Sequence, residues 1–219
     1  FIFRNHPGWR GQEKDGIGKW YDEHEELYQA GKMHGIEVVN DDEYYPEVHQ
    51  WCLDKKLTML GNSDIHSTTD MEFNQSQPKH RPMTWVLVSE KSASAIREAL
   101  EARRTIVYWR DNLIGEEHYL RPLFNSAVQL ETTTINRAAR QHVQLANSSD
   151  LVFDLELVAA TEGISAPQSL VIPAGGAVRI GIGYDRNRSF GQIKLDYEVK
   201  NLKITPQKGL PVSWTILVE

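Results

Sequence analysis

The sequence predicts two parts in series, an α/β portion over residues 1–126 and a small all-β sandwich over residues 127–219. Three observations carry this reading. Up to about Gly115, short apolar extended runs alternate with amphipathic helical stretches, the pattern of βαβ units around a mostly parallel sheet or barrel. From Ala127 onward the helical period disappears, and short extended runs follow one another between turn clusters, as in a β-sandwich. A short helical stretch, Glu116 to Asn125, separates the two patterns and places the boundary near residue 126.

The elements follow in order. Phe1-Ile2-Phe3 is an apolar strand stub that leads into Arg4-Asn5-His6-Pro7-Gly8-Trp9, a strand end that delivers a histidine and then turns sharply. A glycine-rich polar loop covers Gln12 to Gly18. Trp20 to Ala30 reads as a helix, with Trp20, His24, Leu27 and Tyr28 near one face and Gly31 as the stop. Gly35 to Asn40 is a strand. Pro46 opens a helix through Lys55, since proline suits a first turn. Leu57 to Leu60 is a buried strand feeding Gly61-Asn62-Ser63-Asp64-Ile65-His66, and a polar loop runs from Ser67 to Arg81. Thr84 to Val88 is a strand. Ser92 caps a helix whose apolar stripe is Ala95, Ile96, Ala99 and Leu100. Thr105 to Trp109 is a further strand. In the second part the extended runs are 127–135, 142–146, 151–157, 169–172, 177–182, 193–199 and 212–218.

Composition narrows the function classes. The chain has 219 residues, 40% of them hydrophobic, and a formal charge of −6. This is enough for one or two cored domains. The mild acidity argues against a general nucleic-acid binder, and no nucleic-acid groove is evident. No apolar run has the length of a membrane span. The single cysteine, Cys52, excludes an internal disulfide and reads as a small core residue. The chain opens on a strand that carries site chemistry, so a fragment or processed product is expected, with any export signal in a missing N-terminal portion.

Two strand ends carry the candidate chemistry. On an extended chain residues i and i+2 share a side, so Asp64 and His66 converge while Ile65 faces away. A carboxylate beside an imidazole is a ligand pair for a divalent metal; two polar residues capping a turn is the other reading. His6 sits at a second strand end, and sites in α/β folds are built at such ends. Glu37 reads either as an acceptor that orients a ligand histidine or as a buried carboxylate bonded to backbone. Asn5, Asn40 and Asn62 orient ligands or serve turns. His80 and Arg81 meet a substrate phosphate or lie in a solvated loop. His24, His34 and His49 read as helix-face or loop residues. Glu23, Glu25 and Glu26 read as a solvated face, and Trp9 and Trp20 as packing. No Ser-His-Asp, Cys-His or Walker-type pattern competes.

Taken in order, Asn5-His6-Pro7-Gly8-Trp9, Gly35-Ile36-Glu37-Val38-Val39-Asn40 and Gly61-Asn62-Ser63-Asp64-Ile65-His66 resemble the later part of a PHP domain, over roughly residues 1–115. This is the polymerase and histidinol phosphatase superfamily of metal-dependent phosphoesterases. The chain is most similar to bacterial exported PHP-type phosphodiesterases that carry a small β-sandwich. The resemblance implies the C-terminal portion of a distorted (β/α)7 barrel, followed by an immunoglobulin-like sandwich. It implies two or three divalent ions, Mn, Zn or Fe, in the complete protein. His6, Asp64 and His66 would be ligands. Asp64 and His66 would also be catalytic, with Asn5, Glu37, Asn62 and Arg81 supporting the ligands or meeting substrate. The implied reaction is hydrolysis of a small-molecule phosphodiester or phosphomonoester by metal-activated water, in a periplasmic or otherwise exported protein.

The family's first His-x-His motif and its middle His and Glu ligands have no counterpart in the chain. The chain alone is therefore expected to bind metal poorly and to expose apolar surface at its sheet edge. Self-association, or origin by cleavage of a larger chain, follows from such a surface. The alternative function is a non-catalytic binding or scaffold protein, with a degenerate PHP part and the sandwich as its interaction module.

Overall fold

A computed structural model describes residues 1–73, 80–137, 140–184 and 191–217. It divides into two compact units, Phe1–Tyr119 with Ile204–Gln207, and Leu120–Lys203 with Lys208–Glu219.

The first unit opens with β1 (Phe3–Arg4), α1 (Asp22–Gln29), β2 (Gly35–Asn40), β3 (Glu43–Tyr44), α2 (Pro46–Lys55) and β4 (Thr58–Asn62). Strand β2 pairs in parallel with both β1 and β4, and β3 folds back antiparallel on its end. Every residue of β2 is buried. A strand flanked on both sides and covered on both faces must be apolar throughout, and this explains the run Ile36, Val38, Val39. These residues pack against Val48 and Cys52 of α2 and against Leu57 and Met59.

The helix signals act as the sequence suggests. The Tyr21 N–H donates to His24 Nδ1 at 3.0 Å, which satisfies one orphan donor of α1. At the other end Gly31 takes φ +64, and the Lys32 N–H reaches back to the Leu27 carbonyl at 2.8 Å. Pro46 opens α2, and Lys56 closes it in the left-handed region.

After β4 come α3 (Thr69–Glu72), β5 (Met83–Val86), α4 (Ala93–Glu101), β6 (Thr105–Trp109) and β7 (Asn112–Ile114). Ser92 Oγ accepts the Ala95 N–H at 3.1 Å and caps α4 as expected. Strand pairing departs from the expected mostly parallel sheet, because β5, β6 and β7 form an antiparallel meander. The hairpin between β6 and β7 turns on Arg110 and Asp111, at φ +47 and +60. Two successive left-handed residues match the twist of a tight hairpin, but Arg-Asp lacks the usual Asn-Gly signal. Threonine hydroxyls bridge β4 to the meander. Thr84 Oγ1 accepts from the Gly61 N–H and donates to its carbonyl, both at 2.9 Å, and Thr105 Oγ1 donates to the Met59 carbonyl at 2.8 Å.

Gly61 is required by close approach. A Cβ there would lie 2.3 Å from Val107 Cγ1 in the core. Gly61→Ala is therefore expected to destabilise the protein by about 1–3 kcal/mol. Urea unfolding measures this, with Gly61→Ala/Val107→Ala recovering part of the loss. No loss in the single variant would mean the strands can part freely.

The second unit holds all but the first three residues of α5 (Glu117–Ala127), followed by β8 (Val128–Arg137), β9 (Arg140–Asn147), β10 (Phe153–Ala160), β11 (Ile164–Ser165), β12 (Ser169–Ile172), β13 (Ala177–Tyr184), β14 (Gln192–Lys203) and β15 (Gly209–Leu217). Antiparallel pairing gives two sheets, β11-β13-β9-β8 and β12-β10-β14-β15. Burial alternates along β12 and through much of β14, as a sheet with one covered face requires. Buried Asn147 ties the turn after β9: Nδ2 donates to the Leu151 and Pro173 carbonyls at 2.6 and 2.9 Å, and Oδ1 accepts the Ser149 N–H. Val218, expected in the last strand, and residues 74–79 of the polar loop lie outside the described residues. Among the described residues no helix is long and apolar enough to cross a membrane.

Candidate metal centre

Glu37 organises the strand ends. It is 2% exposed, and β2 delivers its carboxylate between the chain segments that follow β1 and β4. Oε2 accepts the His6 backbone N–H at 2.5 Å and Asn40 Nδ2 at 3.0 Å, and Oε1 accepts Asn62 Nδ2 at 2.6 Å. One buried carboxylate thus fixes all three parallel strand ends. Of the two readings open for Glu37, the backbone-bonded one describes the contact. It holds His6 through the main chain, with no bond to the imidazole, and its other partners are the Asn40 and Asn62 amides.

Asp64 and His66 line one cavity of about 380 Å³, together with Trp9, Arg10, Asn40, Asp41, Glu43, Tyr45 and Glu72. They do not reach it as alternate residues of one extended strand. Strand β4 ends at Asn62, and Asp64 sits at φ +49, so the chain turns between them. Asp41, also at φ +49, follows β2, and His6, at φ +26, follows β1. Non-glycine residues in this region are uncommon and strained. All three stand at one end of the parallel sheet.

His6 and Asp64 lie at the same end of the sheet, but β2 stands between β1 and β4, so the strands are not neighbours as expected. The His6 ring is half-buried and meets the Trp9 indole at 5.8 Å between centroids. Trp9 is not the packing residue expected, since 55% of it is exposed at the cavity. Trp20 does pack, edge-on against Trp51 and Tyr28. Cys52 is buried, and burial pushes its thiol far above the usual range. Asn5 and Arg81 are exposed. His80 stacks on Tyr108 at 3.8 Å, with Nδ1 2.8 Å from the Arg81 carbonyl.

Charge in the cavity is weighted to carboxylates. Burial, together with repulsion from Asp42 and, more weakly, from Asp64 and Glu72, raises the Asp41 carboxyl above its usual range. Burial raises the Tyr45 hydroxyl as well, with Glu43 beside it. Glu72 moves the other way. Hydrogen bonding by Ser67, aided by the backbone N–H of His66, holds its carboxyl below the usual range. A lowered carboxyl stabilises above its unfolded pKa, near 4.3, and that contribution is lost as pH falls through the lowered value. Amide-exchange protection at His66 and Ser67 should therefore fall on acidification below about pH 4. Glu72→Ala, which removes the acceptor, should show the same loss already at neutral pH; protection unchanged by either would remove Glu72 from the loop's support.

Carboxylate, imidazole and a strained turn suit a hard or borderline divalent ion. Among the described residues, no group of three or more His, Cys, Asp or Glu side chains is arranged to hold one. Asp64 and His66 thus share the cavity without a third such side chain arranged with them among the described residues. Neither Glu37 nor the cluster of left-handed residues was read from sequence as the hub of the strand ends. The spacing Glu37-x-x-Asn40 at the end of a fully buried strand was the available signal for the first.

A family model described as an Ig-like domain matches residues 128–215. Among solved structures the chain is similar to a two-domain protein from Bacteroides vulgatus, described as containing a predicted PHP-like metal-dependent phosphoesterase. The identity is 38% and the TM-score 0.91, over 99% of this chain and 62% of that one. This chain thus spans less than two thirds of that protein's length. Weaker matches reach an MSP family member of C. elegans, with 8% identity, TM-score 0.32, and coverage of 42% of this chain and 98% of that one. The E. coli chaperone DraB follows, with 13% identity, TM-score 0.29, and coverage of 41% and 52%. No curated protein matches. The chain has the fold of the matched part of the two-domain Bacteroides protein, with an Ig-like domain over residues 128–215.

Proposed function

We propose that residues 1–126 form the C-terminal portion of a PHP-type barrel in a metal-dependent phosphoesterase, and that residues 127–219 form its appended sandwich. The observation that carries this is the placement of Asp64 and His66 on one cavity at the C-terminal end of parallel strands. The Bacteroides neighbour, described as PHP-like and metal-dependent, supports the same reading. Mn, Zn or Fe ions, bound by Asp64, His66 and His6, would supply a water acidic enough to ionise near neutral pH. The chain's own part is positional. Glu37 fixes the His6 turn and Asn62, and the turn at Asp64 aims its carboxylate into the cavity. The remaining ligands belong, on this reading, to polypeptide corresponding to the unmatched part of the neighbour. The substrate is a small phosphate ester and the location periplasmic or otherwise exported.

The test is hydrolysis of bis(p-nitrophenyl) phosphate and p-nitrophenyl phosphate by the full-length protein. Chelation should abolish turnover and Mn or Zn restore it; chelator-resistant turnover, or none under any metal, contradicts the proposal. The 219-residue chain alone is expected to bind Mn weakly and to hydrolyse little, because a partial shell holds metal poorly. Tight stoichiometric Mn binding by this chain in calorimetry would overturn that expectation. The scaffold alternative draws on one observation, the lack of a three-ligand group among the described residues. Metal content of the full-length protein separates the two.

A further inference from the structure

Beside Asp64 and His66 the cavity carries a cation that the proposed chemistry does not yet use. Arg10 lines it, next to the exposed Trp9 indole. The loop that presents them is tightly wound. The Trp9 N–H bonds the His6 carbonyl at 3.0 Å, and the N–H groups of Gln12 and Glu13 both return to the Trp9 carbonyl, at 2.9 and 2.7 Å. The guanidinium lies against Gly16, where an added Cβ would come within 2.7 Å of Nη2, and Gly16 itself needs φ +74. Its hydrogen bond to Glu43 runs from Nε, at 3.0 Å, leaving both terminal NH2 groups of the fork as donors. Tyr45 steadies Glu43 from the other side, its hydroxyl donating at 3.3 Å.

We propose that Arg10, seated over Gly16 on the cavity that Asp64 and His66 line, is the residue that recognises the substrate phosphate. Glu43 is the internal anion that holds its fork in place meanwhile. This rests on the phosphoesterase reading. The Arg10–Glu43 pair is exposed, at 63% and 40% of the two side chains, and such a pair holds weakly. A phosphate offers the planar fork two oxygens at once, and this geometry makes arginine a strong phosphate partner. A carboxylate-weighted cavity would otherwise repel a phosphate, and Arg10 supplies the opposing charge at its rim.

Inorganic phosphate titrated calorimetrically into the full-length protein, with and without Mn, tests the proposal alongside steady-state p-nitrophenyl phosphate kinetics. Arg10→Ala should weaken phosphate binding about tenfold or more, the loss expected for a charge-assisted pair. KM should rise by a similar factor with kcat within about threefold, and Arg10→Lys should fall between, since it keeps the charge without the fork. Equal phosphate affinity in the wild type and Arg10→Ala, or no phosphate binding by the wild type, overturns the proposal. A fall in kcat with KM and phosphate affinity unchanged also overturns it, because Arg10 would then support the loop and not the ligand. If Arg10→Ala loses phosphate while Asp64→Asn keeps full turnover, the phosphate contact stands and the metal reading falls.

Discussion

Replacing Asp64 by Asn in the full-length protein should lower turnover at least about a hundredfold, the order seen when a key electrostatic group is removed from an active site. The swap keeps shape and removes the negative charge that a divalent ion needs. Stability should barely change, because Asp64 is exposed beyond the end of β4. Asparagine also tolerates the left-handed conformation that Asp64 adopts, at φ +49, so the turn itself survives. Metal affinity and turnover should therefore fall together while the thermal melt stays in place. A turn-forming aspartate with no ligand role predicts near-normal turnover instead. Steady-state rates with added Mn and Zn, read beside a melt, distinguish the two outcomes.

Glu37→Ala should give the opposite balance, a large loss of stability along with the loss of the site. Its carboxylate accepts from the His6 main chain and from the Asn40 and Asn62 amides, and it is 2% exposed. Truncation removes the acceptor, strands those donors in a buried space and opens a cavity beside β2. Each stranded buried donor costs about 1–3 kcal/mol, and the terms do not add fully. A loss of roughly 3 kcal/mol or more is expected, a large share of the 5–15 kcal/mol typical of a domain. Glu37→Gln keeps the volume and one acceptor but sets an NH2 against other donors, so an intermediate loss is expected. Urea midpoints measure both. A Glu37→Ala change under about 0.5 kcal/mol would show that the strand ends are held by other means.

Much of the first unit was legible because its elements announce themselves through single residues: Gly31 stopping α1, Pro46 opening α2, Ser92 capping α4. The antiparallel meander was not legible. A helix between β5 and β6 reads as a parallel crossover, and the Arg110-Asp111 hairpin lacks the glycine or asparagine that marks most such turns. Short strands such as β3 and β11 carry too few residues to show a period. At the site, Asp64 and His66 line one cavity, but their i, i+2 spacing does not explain it. Strand alternation does not operate where the backbone turns left-handed at Asp64. Arg10 and Trp9 reach the cavity through the winding of a loop with no period at all, so sequence pattern carried no sign of it.

The central proposal is that Asp64 and His66 bind divalent ions as part of a multi-ion metal centre. Elemental analysis of the full-length protein, purified without added metal and without chelator, tests it most directly. Two or more Mn, Zn or Fe ions per chain are expected, falling clearly in Asp64→Asn and further in Asp64→Asn/His66→Ala, with the melt of the Asp64→Asn protein unchanged. A cleanly folded full-length protein that carries no metal, or whose metal content is the same in both variants, would contradict the account.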